Sequence, residues 1–194
     1  MRLLIMGPPG AGKGTQAVHV ASQYSIPAIS TGDIFRTNIK NKTELGLKVV
    51  EITAGGGYVS DDVTNEIVRD RLSWEDAAQG WLLDGYPRTA GQVDFLDSLL
   101  GQDGARVDAV VSLVVDEEAV VERLSQRAQI EGRTDDTPEV IRGRMEIYHK
   151  ETAPLLQTYG SRGIVVEVDG MGAVDDVTTR LVSAIDGMRD AATA

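Results

Sequence analysis

Short apolar runs punctuate the chain at Leu3 to Met6, Ile26 to Ile29, Trp81 to Leu83, Ala109 to Val115 and Ile164 to Val168. Helix-compatible stretches separate them, and this alternation predicts an α/β fold in which a parallel five-stranded sheet is covered by helices. The last helix is the clearest. Val174, Val177, Leu181, Ile185 and Met188 recur at three- and four-residue steps and give one apolar stripe to pack on the sheet. Beyond Met188 the small, polar tail Arg189 to Ala194 reads as frayed. Two regions break the rhythm. From Thr31 to about Leu72, short helical patterns are interrupted by Gly55-Gly56-Gly57, and Ala128 to Thr137 reads AQIEGRTDDT, too poor in apolar residues for a core. A helix should follow the second region, with Asp136 or Thr137 near its cap and Pro138 in its first turn. Both regions read as attachments to the core, against the plainer alternative of polar surface connections.

Composition narrows the chemistry. A chain of 194 residues, 42% of them hydrophobic, suits one domain with small insertions. Its longest apolar runs fall far short of a membrane span, and no basic start leads into an apolar leader, so the chain reads as cytoplasmic. The lack of Cys removes thiolate metal sites, and His19 and His149 lie too far apart to suggest a ligand pair. A net charge of −11 argues against extended nucleic-acid binding, which needs a basic footprint. The expected ligand is small. Most of the 19 basic residues are Arg, whose planar fork suits phosphate, although a biased codon composition would give the same excess.

Positions are more telling than counts. Directly after the first apolar run, Gly7 to Thr15 read GPPGAGKGT and lead into a helix-compatible stretch from Gln16 to Gln23. Strand, glycine loop and helix together make a phosphate cradle: the helix N-terminus offers unpaired N–H donors and about half a positive charge. Gly7, Gly10, Gly12 and Gly14 keep side chains away and allow positive φ, while Lys13 supplies a mobile cation for the outer phosphates. The general pattern puts Ser or Thr directly after the lysine; here Gly14 intervenes and Thr15 brings the hydroxyl. The run WLLDG at Trp81 to Gly85 reads as a buried strand ending in an acid, which in a doubly wound sheet puts Asp84 opposite the loop. An acid there suits Mg²⁺ held through water; a turn aspartate before Gly85 is the bland alternative.

With STGDIFR at Ser30 to Arg36 and LDGYPRTAGQ, ERLSQR, GRTDD, RGRMEIYHKETAPL and VDG following in order, the chain resembles the adenylate kinases over essentially its whole length. The resemblance implies a P-loop three-layer α/β sandwich with a small helical NMP-binding insertion and a short lid. It divides the chain into a core of residues 1–29, 60–127 and 138–194, an insertion at 30–59 and a lid at 128–137. The implied activity is ATP + AMP ⇌ 2 ADP with Mg²⁺, by a monomer without zinc.

Site residues follow motif by motif from the same resemblance. Gly10, Ala11, Gly12, Lys13, Gly14 and Thr15 would cradle ATP, joined by Arg127 and by the Gly172 backbone beside the adenine. AMP would be bound by Thr31, Arg36, Gly85, Tyr86, Pro87, Arg88 and Gln92, with Gly57, Tyr58 and Val59 closing over it. Lys13 and Arg88, with Arg123, Arg127, Arg133 and Arg144, would surround the transferring phosphoryl, the last two also reaching AMP. Asp33 and Asp84 would hold the water shell of Mg²⁺. Tyr86 stands where Phe is commoner, and the short, Cys-free lid cannot carry the zinc site of long-lid relatives.

Physical reasoning agrees with that assignment. Arg123 and Arg127, four apart on an expected helix, repel by roughly 0.2 to 0.5 kcal/mol unless an anion sits between them, although Glu131 could instead neutralise Arg127 on a solvated face. No general base is evident and none is required, since a phosphate monoester with a second pKa of about 6 already offers an anionic oxygen near neutral pH. Two alternatives stay open at this level. One is a kinase for CMP, UMP or GMP; the other is a nucleotide-hydrolysing switch, for which Asn41-Lys42-Thr43-Glu44 offers only a faint guanine-reading motif.

Overall fold

The computed structural model describes residues 1–116, 119, 120, 123, 124 and 137–193. Five strands, β1 Arg2–Met6, β2 Ala28–Ser30, β3 Trp81–Asp84, β4 Ala109–Val114 and β5 Val165–Asp169, form one parallel sheet in the order β2-β3-β1-β4-β5. The apolar runs therefore become strands as expected. All four residues of β3 and all but the first of β1 are buried, as central strands covered on both faces require.

Side-chain alternation divides the core in two. Leu4 and Met6 of β1 join Trp81 and Leu83 of β3 on one face, packed by Val93, Leu96 and Leu100 of helix α5 (Ala90–Gly101) and by Val68 of α4 (Asp61–Leu72). Leu3 and Ile5 point the other way, with Leu82, onto Ala17 and Val20 of α1 (Lys13–Gln23) and onto Val177, Leu181 and Ile185 of the C-terminal helix, Val174–Thr193. Three layers result, helices on a sheet on helices.

The boundaries of β2 and of the last helix differ from expectation for identifiable reasons. The β2 ladder begins at Ala28, because Pro27 has no N–H to donate; its carbonyl still accepts from the Leu82 N–H at 2.9 Å. The tail beyond Met188 is not frayed but continues the last helix to Thr193. Ala191 and Ala192 are strong helix formers, and Arg189 pairs with Asp186 at 3.6 Å one turn back.

The region from Thr31 to Leu72 forms α2 (Thr31–Lys40), α3 (Glu44–Ala54) and α4. A small cluster of its own, Phe35, Val49 and Val59, binds these helices together. Asn41 to Thr43 is the turn between α2 and α3, with Thr43 capping α3 through the Gly46 N–H at 3.1 Å, so the faint guanine-reading motif is a helix cap. Past the expected lid, α6 (Pro138–Ile147) starts as anticipated: Thr137 caps it from the Val140 N–H at 3.4 Å, and Pro138 occupies its first turn. A π-helical turn at Tyr148–Thr152 leads into α7 (Leu155–Gly160), and the C-terminal helix is α8. No helix among the described residues is long and apolar enough to cross a membrane.

Candidate active site

The glycine loop joins β1 to α1 at the C-terminal edge of the sheet, where β1 lies between β3 and β4 and the strand order changes direction. Gly12 is the residue before α1 and, at φ 89°, has no side chain with which to cap the helix. Gly10 also has positive φ, 81°, and a Cβ there would come within 2.8 Å of Leu124 Cγ, so the loop fits its surroundings only without one. Gly14 differs from Gly10 and Gly12: it lies in the first turn of α1 rather than at positive φ. Lys13 Nζ donates to the carbonyls of Gly7 at 2.7 Å and Pro8 at 2.8 Å, which lays the ammonium across the loop.

Beside the loop opens a cavity of 740 Å³. Gly10, Gly12, Lys13, Gly14 and Thr15 line it from one side. Asp84, at the end of β3 and 9% exposed, lines it as well, its Oδ2 lying 3.7 Å from where a Cβ on Gly14 would stand. The acid therefore faces the loop as the strand pattern predicts.

From α2 come Thr31, Asp33 and Arg36, and from the segment between α3 and α4 come Gly57, Tyr58 and Val59, all lining the same cavity. Thr31 Oγ1 donates to the Gly85 carbonyl at 2.9 Å, and the Asp33 carboxylate pairs with the Arg36 guanidinium. Gly85, Tyr86, Pro87, Arg88 and Gln92 follow β3 along the same wall. The Tyr86–Pro87 peptide is cis. At Gly85, φ is +77° and a Cβ would lie 2.9 Å from both Thr31 Oγ1 and an Arg88 nitrogen, so two candidate ligand-binding side chains occupy that space.

Arg88 is the electrostatic centre of this wall. Its Nε donates to the Gly85 carbonyl at 2.7 Å, and its guanidinium lies 4.8 Å from the Tyr58 ring centroid. Burial pushes its pKa down; Tyr58 and Asp84 oppose the drop, while Arg144 and Arg36 add to it. A desolvated cation with like charges beside it is stabilised by an anion, and the cavity provides the room. Arg36, Arg123 and Arg144 line the cavity with Arg88.

A second, smaller cavity of 180 Å³ shares Gly12, Thr15 and Arg123 with the first and reaches Ala11 and Gly172. Arg123 donates to the Gly170 carbonyl at 3.2 and 3.3 Å, so the guanidinium and the turn carrying Gly172 stand together beside the loop. Arg127 and Arg133, and residues 128–136 of the expected lid, lie outside the described residues.

Two cavity residues, and one that supports the wall from behind, were missed by sequence reasoning. Tyr148 and Thr152, brought in by the π-helical turn, line the wall, and Thr152 Oγ1 donates to the Arg88 carbonyl at 2.9 Å while meeting the Tyr58 hydroxyl at 2.9 Å. Asp61, at the start of α4, holds the Gln92 side chain. The Tyr86 hydroxyl, the departure from the commoner Phe, is bonded to Asn65 Oδ1 at 2.7 Å, and burial raises its pKa.

Among the described residues no group of three His, Cys, Asp or Glu side chains could hold a metal alone. Asp33, Asp84 and Thr15 around one cavity instead suit an ion that keeps several waters and arrives on phosphate, which describes Mg²⁺.

Comparison with known proteins agrees with this geometry. Residues 5–164 match the family model described as adenylate kinase. A protein of Leifsonia xyli subsp. xyli named adenylate kinase is 58% identical over 183 residues, covering 94% of this chain and 92% of the relative. Adenylate kinases of a Nocardioides species and of Bifidobacterium longum are 55% and 53% identical, each covering 96% of this chain and 97% and 100% of the relative. A five-stranded parallel sheet, a glycine-loop phosphate cradle and this breadth of sequence agreement lead to one conclusion: the chain belongs to the adenylate kinase family.

Proposed function

We propose that the chain transfers the terminal phosphoryl group of MgATP to AMP, reversibly, giving two ADP. The observation that carries this reading is the single cavity lined both by the glycine loop and by the wall of Thr31, Gly85, Arg88 and Gln92. A hydrolysing switch needs one phosphate site; this cavity offers room and cations for two.

In the proposed mechanism ATP phosphates rest on the backbone donors of Gly10 to Thr15, with Lys13 turned toward the outer phosphates and the nucleoside directed toward Gly172. AMP lies against Thr31, Arg36, Gly85 to Arg88 and Gln92, with Gly57 to Val59 covering it. Arg88, Arg123 and Arg144 stabilise the charge spread over the transferring group, and Arg127 and Arg133, which resemble the family's arginines in sequence, would share that work. Thr15, Asp84 and Asp33 are the groups that would hold Mg²⁺ or its waters, and the ion would supply charge neutralisation on the phosphates there. The acceptor oxygen of AMP needs no base, so positioning and charge supply the rate enhancement.

The division into core, insertion 30–59 and lid 128–137 belongs to the same proposal, as do a monomeric state, a cytoplasmic location and the absence of nucleic-acid partners. Comparing AMP, CMP, UMP and GMP as acceptors for MgATP tests the substrate assignment. AMP should give the highest kcat/KM by at least about a hundredfold, because a site built to bond one base leaves buried polar groups unpaired with another. Equal use of CMP or UMP would reassign the acceptor.

A further inference from the structure

Gln92 is 2% exposed, and every polar group it carries is engaged. Its backbone N–H donates to Thr89 Oγ1 at 3.2 Å, and its carbonyl accepts from the Tyr86 hydroxyl at 3.2 Å. The side-chain Oε1 accepts from the Arg88 backbone N–H at 2.7 Å, and Nε2 donates to Asp61 Oδ1 at 2.7 Å. The other carboxylate oxygen of Asp61, Oδ2, accepts from the Thr89 hydroxyl at 2.7 Å. Asp61 is thus fixed from two sides, by residues on the far side of the sequence from its own helix.

The polarity of these partners matters more than their number. A backbone N–H can only donate and a carboxylate can only accept, so each identifies the end of the carboxamide it meets. Turning the amide over would set Nε2 against the Arg88 N–H, donor against donor, and Oε1 against the Asp61 carboxylate, acceptor against acceptor. Unpaired buried groups of this kind are costly. An amide has two N–H donors and two acceptor lone pairs, so one of each remains after these bonds, with a fixed order along its edge.

We infer that Asp61 is a positioning residue that locks the orientation of the Gln92 carboxamide and thereby makes the acceptor site select a 6-aminopurine over a 6-oxopurine. The inference rests on the reading of Gln92 as the group that meets the AMP base. Adenine offers an amino donor beside a ring-nitrogen acceptor, which an amide edge matches bidentately. Hypoxanthine and guanine reverse that order at O6 and N1–H. A carboxamide free to turn would serve either; one held by Asp61 and by the Arg88 N–H serves only the amino base. Size then excludes the pyrimidine that shares adenine's polarity, and polarity excludes the purines that share its size.

The test compares AMP with inosine 5′-monophosphate, which keeps the purine, ribose and phosphate but carries the oxo edge. In Asp61→Asn the partner of Nε2 can itself present either polarity, so the preference for AMP in kcat/KM should fall at least about tenfold, the scale of one bidentate base contact. The loss should come chiefly from a raised KM for AMP and a lowered KM for inosine monophosphate. Thr89→Val loosens Asp61 from its other side and should shift the preference in the same direction, which keeps the test decisive if Asp61→Asn folds poorly. A merely structural Asp61 would not produce the next result: in a Gln92→Ala background, Asp61→Asn should alter the preference less than about twofold, since interacting residues lose their effect when the partner is gone. An unchanged preference in folded Asp61→Asn, or an equal effect with and without Gln92, would overturn the lock while leaving the AMP reading intact. An undiminished preference for AMP in Gln92→Ala alone would overturn the base-reading role and the lock with it.

Discussion

Lys13→Ala should lower turnover at least about a hundredfold while the unfolding midpoint stays close to that of the unaltered protein. Lys13 Nζ donates to the loop carbonyls of Gly7 and Pro8, and its stem belongs to neither main core cluster. Each such hydrogen bond contributes about 1 kcal/mol to stability, so the structural loss is small. The catalytic loss is not. A cation on the outer phosphates acts where charge is redistributed in the transition state, in a site with restricted water. Steady-state turnover beside urea unfolding separates the two effects. If stability fell as steeply as turnover, Lys13 would be a strut of the loop instead of a phosphate ligand.

The larger expected effect belongs to Arg88. Arg88→Ala should reduce kcat/KM for AMP at least about a thousandfold, in the range seen when an arginine that stabilises phosphoryl transfer is removed. Its guanidinium is bonded to the Gly85 carbonyl, rests on Tyr58 and lies under the field of Asp84, Arg36 and Arg144. Truncation removes one hydrogen bond and one ring contact but also relieves repulsion by Arg36 and Arg144, so stability should change by no more than about 1 to 2 kcal/mol. Arg88→Lys should recover little, because an ammonium cannot reproduce the planar fork that meets two phosphate oxygens. Varying AMP at saturating MgATP, and MgATP at saturating AMP, locates the damage. A defect confined to the MgATP side would move Arg88 out of the acceptor site.

Much of this arrangement was legible in the sequence, and the exceptions have physical causes. Strands could be read because apolar runs such as Leu3 to Met6 and Ala109 to Val114 must be buried on both faces of a parallel sheet. The glycine loop and Asp84 carry local signals, one in spacing and one at a strand end, and both face the same cavity. Strand β2 starts two residues after its apolar run because Ile26 is apolar for another reason, packing against the cluster that α1 and α8 share. The last helix ran further than its apolar stripe, since alanine propensity and an ion pair need no stripe to extend it.

Asp61, Tyr148 and Thr152 gave no local signal at all. An aspartate opening a helix reads as an ordinary first-turn acid, and only the fold brings Asp61 onto Gln92, 31 residues away. Thr152 reaches the Arg88 carbonyl across 64 residues through a π-helical turn that helical periodicity does not predict. Residues whose role is to orient another side chain are legible in three dimensions and silent in one.

The central claim is direct phosphoryl transfer between two bound nucleotides, and following the γ-phosphoryl of ATP tests it most directly. With that group isotopically labelled and AMP present, the label should appear in the β-phosphate of the ADP formed from AMP. Free labelled phosphate should form orders of magnitude more slowly, with or without AMP, because a site that excludes water until both nucleotides are bound suppresses hydrolysis. Label accumulating as inorganic phosphate, at a rate that AMP does not change, would contradict the account.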